Sequence, residues 1–265
     1  MADDVGRLWA HSMAEAYERW LVPTVFRPFA VDAARRVSIH APSRVLELAA
    51  GTGVLTRELA AALPSAEVTA TDLNQAMVDL GRHQAPSARW RQADATSLPF
   101  DDGEFDVVAC QFGVMFFSDK PAAFAETRRV LLPGGVFLMS TWSTLETQDF
   151  QLGLVAGLKR AFPEDPPPFM TLVPHGCSNV DYVIADLRAG GFHRVRVESV
   201  TQEGRAESAK DVAIGYCTGT PLRAEIETRG DLAATTAVVA EELEARLGTG
   251  QVKATMTAHV FEATA

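Results

Sequence analysis

The stretch Val45-Leu46-Glu47-Leu48-Ala49-Ala50-Gly51-Thr52-Gly53 runs from a short apolar segment straight into a glycine-rich turn. Glycine lets a backbone turn tightly after a strand and come close to a ligand. Helical spacing follows over residues 54–63, ended by Pro64, and the first N–H groups of such a helix point back at the turn. Strand, turn and helix in this order open a βαβ unit.

The rhythm then repeats. Strand-like residues 67–72 precede a helical segment over 74–84 and a strand over 89–92. A valine-rich buried strand over 104–111 precedes a helix over 120–131, stopped by Pro133-Gly134-Gly135, and a strand over 136–142. Five strands joined by helices predict a parallel sheet with right-handed crossovers and helices on both faces. On such sheets ligands bind beyond the carboxyl ends of the strands, where strand order reverses.

Upstream, residues 5–20 have helical spacing, with Leu8, Trp9, Met13, Ala16, Tyr17 and Trp20 near one face. Pro23 suits the start of a second helix reaching about residue 39. Downstream, residues 143–177 hold a helical stretch followed by Pro163, prolines 166–168 and Pro174, a pattern expected of a lid rather than a linker. A helix over 180–189 ends at Gly190-Gly191, residues 195–200 alternate as a half-buried strand, helices over 208–248 break at Thr220-Pro221, and residues 252–261 alternate as a last strand.

The 265 residues carry 24 basic and 34 acidic side chains, a formal charge of −10, and are 47% hydrophobic. This is a globular composition, and the excess of acid argues against a dedicated nucleic-acid binder, which needs a basic stripe. Cys110, Cys177 and Cys217 lie far apart with no CxxC or Cys/His cluster, so neither a disulfide framework nor a metal site is expected. Residues 1–20 lack the apolar core of a signal peptide, so none is expected, and the sequence holds no run of about 18 apolar residues. A cytoplasmic protein without a membrane span is expected.

Asp72 closes the second strand 21 residues after Gly51, where a carboxylate can hold ribose hydroxyls or cap the helix beginning at Asn74. A dinucleotide fingerprint needs a third glycine three residues after Gly53, and that place holds Thr56. Glu47, inside the strand, would repel a pyrophosphate but suits a ligand bearing an amino group or cation. Gln92-Ala93-Asp94-Ala95 ends the third strand, Leu98 to Val108 leads into the fourth, and Glu126-Thr-Arg128-Arg129-Val-Leu-Leu-Pro-Gly-Gly135 leads into the fifth.

This ordered set, spanning roughly residues 40–142, resembles the class I S-adenosylmethionine-dependent methyltransferases, especially the small-molecule group containing quinone-biosynthesis C-methyltransferases. The resemblance implies an α/β fold: a Rossmann-like, doubly wound, seven-stranded and mainly parallel sheet whose last strand is antiparallel, with helical N-terminal and inserted cap segments. One domain over 1–265 is expected: a cap over 1–40, a cofactor core over 41–142, a lid over 143–177, and the rest of the sheet over 178–265 with a helical insertion over 208–248. The resemblance further implies that Glu47 and the loop Ala49, Gly51, Thr52 and Gly53 hold the methionine part of S-adenosyl-L-methionine. Asp72 would take the two ribose hydroxyls with Leu73 beside the adenine, and Met77 is a further expected cofactor-binding residue. Asp94 and Ala95 would bond the adenine, and Gln111 and Phe112 would face the methionine end. Ala49 replaces the first glycine of the family's loop and is expected to keep ordinary backbone angles.

Methyl transfer from a sulfonium needs in-line positioning and exclusion of water, with a base only where the acceptor loses a proton. Tyr17 and His175 are the candidate bases, each with packing as its plainer role. Tyr17, Trp20, Phe116, Trp142 and Phe169 are candidate walls of an acceptor pocket or members of the core. The turn Cys110-Gln-Phe-Gly-Val-Met-Phe-Phe117 is apolar and suits a small organic acceptor rather than a nucleobase, an arginine side chain or a metal-bound catechol. A nicotinamide-dependent oxidoreductase and a catalytically inactive cofactor-binding partner protein stay open, as does a homodimer.

Overall fold

The computed structural model describes residues 11–265, so residues 5–10 of the expected first helix, Leu8 and Trp9 among them, lie outside the described residues. The strands are β1 (Arg44–Glu47), β2 (Glu67–Asp72), β3 (Arg89–Gln92), β4 (Phe105–Gln111), β5 (Leu131–Trp142), β6 (Arg194–Ala206) and β7 (Val252–Thr264). They form one seven-stranded sheet in the order β3-β2-β1-β4-β5-β7-β6. The pairs from β3 through β5 are parallel. β7 runs antiparallel to both of its neighbours, so the reversed last strand of the expected fold is present. β6 and β7 continue past their expected ends, pairing from Arg194↔Thr264 to Ala206↔Val252.

Alternate side chains of the central strands feed two cores, as a sheet buried on both faces requires. Val45, Val107, Ala109 and Val136 pack with Ala34, Val37, Leu55 and Leu59 on one face. Those residues come from α2 (Arg27–Ile39) and α3 (Val54–Ala62). Leu46, Val108, Cys110, Phe137 and Met139 pack on the other face with Phe124, Leu187 and Phe192, where α5 (Lys120–Val130) and α8 (Val180–Ala189) lie. Between them in sequence, α4 (Gln75–Gln84) follows β2. The helix after β1 and the helix after β4 therefore cover opposite faces, and the crevice between the ends of these neighbouring strands is the fold's natural ligand position.

The N-terminal segment departs from expectation. α1 (His11–Ala16) runs directly into a π-helical segment, Tyr17–Phe26, and then into α2. Pro23 lies inside the π-helical turns and begins no helix; Pro28 instead occupies the first turn of α2. A proline lacks the N–H that a regular helix would use; the wider π turn, marked here by the Arg27 N–H donating to the Val22 carbonyl, carries the chain past it.

The segment 143–177 also divides. α6 (Asp149–Ala161) packs Phe150, Leu154 and Leu158 into the main core, while the short α7 (Phe169–Leu172) and the turn Pro174–Cys177 follow it. The expected helical insertion is α9 (Ala209–Thr218), α10 (Leu222–Glu227) and α11 (Leu232–Leu247), broken at Thr220-Pro221 as its sequence predicts. All three cysteines are buried and free. Among the described residues no helix is long and apolar enough to cross a membrane.

Candidate functional site

The carboxyl ends of β1, β2, β4 and β5 meet at one edge of the sheet, and their parallel register brings Glu47, Asp72, Gln111 and Trp142 to that edge. Beyond it opens a cavity with about 1440 Å³ of empty space, its solvent-open mouth included. Tyr17, Ala49, Gly51, Asp72, Leu73, Met77, Asp94, Ala95, Gln111 and Phe112 all line it. Glu47, Thr52, Gly53 and His175 do not stand among its lining residues.

The loop after β1 is held by Leu48 and Ala50, whose N–H groups donate to the Ala109 and Thr71 carbonyls. Ala49 has φ = +50°, in the left-handed region, so the expectation of ordinary backbone angles at this position is wrong. Loop and turn pack closely here: a side-chain carbon on Gly113 would lie 2.4 Å from the Ala49 Cβ, so position 113 has no room for one.

The two glycines serve different ends. At Gly51 (φ +56°) a Cβ would meet only the Tyr17 Cε1, at 4.0 Å, so its open side faces the cavity. At Gly53 (φ +88°) a Cβ would lie 2.9 Å from the Trp90 ring, so this glycine admits an indole rather than a ligand. The same ring fills the place of a side chain at Gly81, and its Nε1–H donates to the Ala85 carbonyl. Thr52 is buried, its hydroxyl donating to Glu18, which is paired in turn with Arg57 at 2.9 Å.

Glu47 lies beneath the loop. It is 2% exposed and accepts a 2.6 Å hydrogen bond from the hydroxyl of Thr56. Burial pushes its carboxyl up to about 8, against the Thr56 bond, which lowers it. Thr56, the residue in the third-glycine position, thus has a definite partner that spacing alone did not reveal.

Asp72 ties the loop to β2. One carboxylate oxygen accepts the Gly51 N–H at 2.8 Å and the other accepts the Asn74 N–H at 2.9 Å. The cap of α4 is Asn74, whose side chain accepts from Ala76 and Met77, so the capping reading of Asp72 falls away. A carboxylate offers about four lone-pair positions; with the Leu73 N–H also bearing on it, some capacity remains for donors in the cavity. Desolvation raises the Asp72 pKa, opposed by the backbone N–H bonds. Leu73 is 44% exposed at the rim, whereas Met77 is 3% exposed below it. Asp94 uses one oxygen to hold the Thr96 N–H and hydroxyl, fixing the turn that also presents Ala95.

Across the cavity, Gln111 donates its amide N–H to the Phe26 carbonyl at 3.1 Å, joining β4 to the π-helical segment. Of the candidate wall residues, Tyr17, Phe116, Trp142 and Phe169 line the cavity; Trp20 does not, and carries the Arg19 guanidinium 4.6 Å over its ring. Burial raises the Tyr17 phenol, helped by the carboxylates of Glu18, Asp72 and Glu47, so it stays protonated and poorly suited to act as a base. His175 sits behind Pro174, its Nδ1 donating to the Ser143 carbonyl at 2.8 Å, and burial lowers its pKa and keeps the ring neutral. Glu126 pairs with Arg129 and accepts the Leu98 N–H, which anchors the segment before β4 away from the cavity. No group of three or more His, Cys, Asp or Glu among the described residues is placed to hold a metal ion.

Comparison with known proteins bears on this geometry. Residues 45–135 match the family model described as a methyltransferase domain. A demethylmenaquinone methyltransferase of Deinococcus radiodurans is 41% identical over 107 residues, which cover 39% of this chain and 44% of that protein. A ubiquinone/menaquinone biosynthesis C-methyltransferase of Stutzerimonas stutzeri is 40% identical over 115 residues, covering 41% and 45%. The chain thus spans less than half the length of these curated relatives. Among solved structures, a Haemonchus contortus phosphoethanolamine N-methyltransferase in complex with phosphomonomethylethanolamine and S-adenosylhomocysteine superposes with a TM-score of 0.61. It does so at 15% identity, covering 97% of this chain and 58% of that one. Strand order and loop geometry agree with these matches, and residues 45–135 are similar to a methyltransferase domain.

Proposed function

We propose that this chain transfers a methyl group from S-adenosyl-L-methionine to a small organic acceptor. The observation that carries the reading is the coupling of Gly51 to Asp72: one N–H···O bond fixes a cradle whose open side faces the cavity and whose carboxylate keeps free lone pairs. On this reading Asp72 holds the ribose hydroxyls. Leu73, Met77, Asp94 and Ala95 receive the adenine, and Ala49, Gly51, Gln111 and Phe112 receive the methionine part. Glu47 lies beneath the loop, where its hydrogen bond with Thr56 braces the turn from inside.

Bound there, the cofactor supplies a methyl group already activated on sulfur. The chain's own contribution is positioning and dryness: the apolar turn after β4, the π-helical segment and α7 wall the reacting region against water. With Tyr17 held protonated and His175 set back from the cavity, no base is assigned. Against a nicotinamide cofactor stands Thr56, which occupies the third-glycine position of the dinucleotide fingerprint. One continuous sheet supports reading the chain as a single domain, and three free cysteines support a cytoplasmic location. The test is transfer of labelled methyl from S-adenosyl-L-methionine to a panel of neutral and charged small acceptors. Turnover supports the reading; cofactor binding with no turnover across the panel favours the inactive binding protein instead.

A further inference from the structure

The cavity continues past the cradle into a region outside the family match. There α6, α7 and α9 close against the π-helical segment, with Leu21, Val25, Trp142, Phe169 and Met170 as apolar walls. Two polar side chains interrupt them: Gln151 in the first turn of α6, 1% exposed, and Tyr216 on α9, 3% exposed. The Gln151 Oε1 and the Tyr216 hydroxyl find no hydrogen-bond partner among the described residues. Leaving buried polar atoms unpaired is costly, and native proteins do so rarely and locally. Gln111, at the cradle end, leaves its Oε1 unpartnered as well; Gln151 and Tyr216 together mark the place at the far end where partners arrive with a ligand.

Resting on the methyltransferase reading, we propose that Gln151 and Tyr216 select the acceptor, and that it is a neutral, mainly apolar molecule bearing a hydroxyl group. The chemistry follows from the two atoms. An amide oxygen only accepts, so the ligand must donate an O–H or N–H to Gln151; a phenol can donate to the same ligand oxygen in return. No lysine or arginine lines the cavity among the described residues, and its two lining carboxylates, Asp72 and Asp94, belong to the cradle end. A charged acceptor at the far end would be buried without a counter-charge. Both orphan atoms are sealed from solvent in this conformation, so entry of the acceptor turns the side chains toward it. Burial alone raises the Tyr216 phenol, which remains a proton donor.

The experiment uses the full chain and three probes: 2-naphthol, 2-methoxynaphthalene and 2-naphthoate. Each is titrated with and without saturating S-adenosylhomocysteine. The expected result is that 2-naphthol binds about tenfold more tightly than either other probe, the worth of roughly one well-made hydrogen bond. Tyr216→Phe and Gln151→Met should each erase most of that preference and leave S-adenosylhomocysteine affinity unchanged. Both variants should also melt at or above the wild-type temperature, because each removes an unpaired buried atom; a side chain paired in the free protein would lower it. Equal binding of the naphthol and its ether, tighter binding of the naphthoate, no binding of any probe, or variants with undiminished preference would overturn the assignment. Loss of S-adenosylhomocysteine binding with naphthol preference intact would strike the cofactor reading and spare this pair.

Discussion

The rings of Phe112 and Trp142 are stacked, their centroids 3.7 Å apart and their planes 5° from parallel. Phe112 ends β4 with φ = +53°, a conformation that costs a non-glycine residue roughly 1–2 kcal/mol. The stack supplies the compensation, with Phe29 set edge-on against both rings at 5.3 Å. Strain held by packing at the rim of a cavity is a feature of ligand-binding sites, and here it fixes the wall between the cradle and the apolar end.

Phe112→Ala removes the stack and leaves a void where two other rings meet. A loss of about 3–5 kcal/mol is expected in urea unfolding. A loss under about 1 kcal/mol would mean that relief of backbone strain outweighs the packing.

Gly51→Ala and Gly53→Ala should part company. At Gly51 an added methyl touches nothing closer than Tyr17, so stability falls only by the backbone cost, about 1 kcal/mol, while cofactor affinity drops. At Gly53 the methyl strikes Trp90, and the loss is larger and lies in stability. Gly53→Ala as stable as Gly51→Ala would contradict the role given to the indole.

These glycines show how far the sequence could be read. The βαβ order, the strand ends and the residues at the sheet's edge follow from periodicity and turn chemistry, which are local. The difference between Gly51 and Gly53 depends on Trp90, which reaches the loop from β3 and is invisible from spacing. Nor does spacing show the left-handed angle of Ala49 or its close approach to Gly113. Gln151 and Tyr216 carry no motif at all; only the packing of α6 and α9 around one cavity sets them apart. Pro23 misled because the rule for helix starts assumes an α-helix, and the chain here winds as π.

Glu47 should shape the pH dependence of stability. Its folded pKa of about 8 lies above the ordinary 4.5, so between these values the folded state binds more protons than the unfolded one. Stability therefore falls as pH rises through that window, with a slope from this residue approaching ~1.4 kcal/mol per pH unit, and levels off above it. Glu47→Gln should flatten the profile from pH 5 to 8. An unchanged slope would show that the carboxyl titrates normally.

Glu18 clamps the π-helical segment to the loop by accepting from Thr52 and pairing with Arg57. The pair is partly exposed, so Glu18→Gln should cost no more than about 1 kcal/mol of global stability. Amide exchange across residues 17–26 should nevertheless quicken. Global destabilisation with unaltered exchange there would refute the clamp.

The most direct test is calorimetric titration of the full chain with S-adenosylhomocysteine and with NAD, in the wild type and in Asp72→Asn. Asparagine keeps one carbonyl oxygen for the loop's N–H groups but removes the charge that would hold ribose hydroxyls. The account predicts that the wild type binds S-adenosylhomocysteine and not NAD, and that the substitution weakens binding by at least about tenfold, as loss of a charge-assisted hydrogen bond implies. Binding of NAD alone, or undiminished affinity in Asp72→Asn, would contradict it.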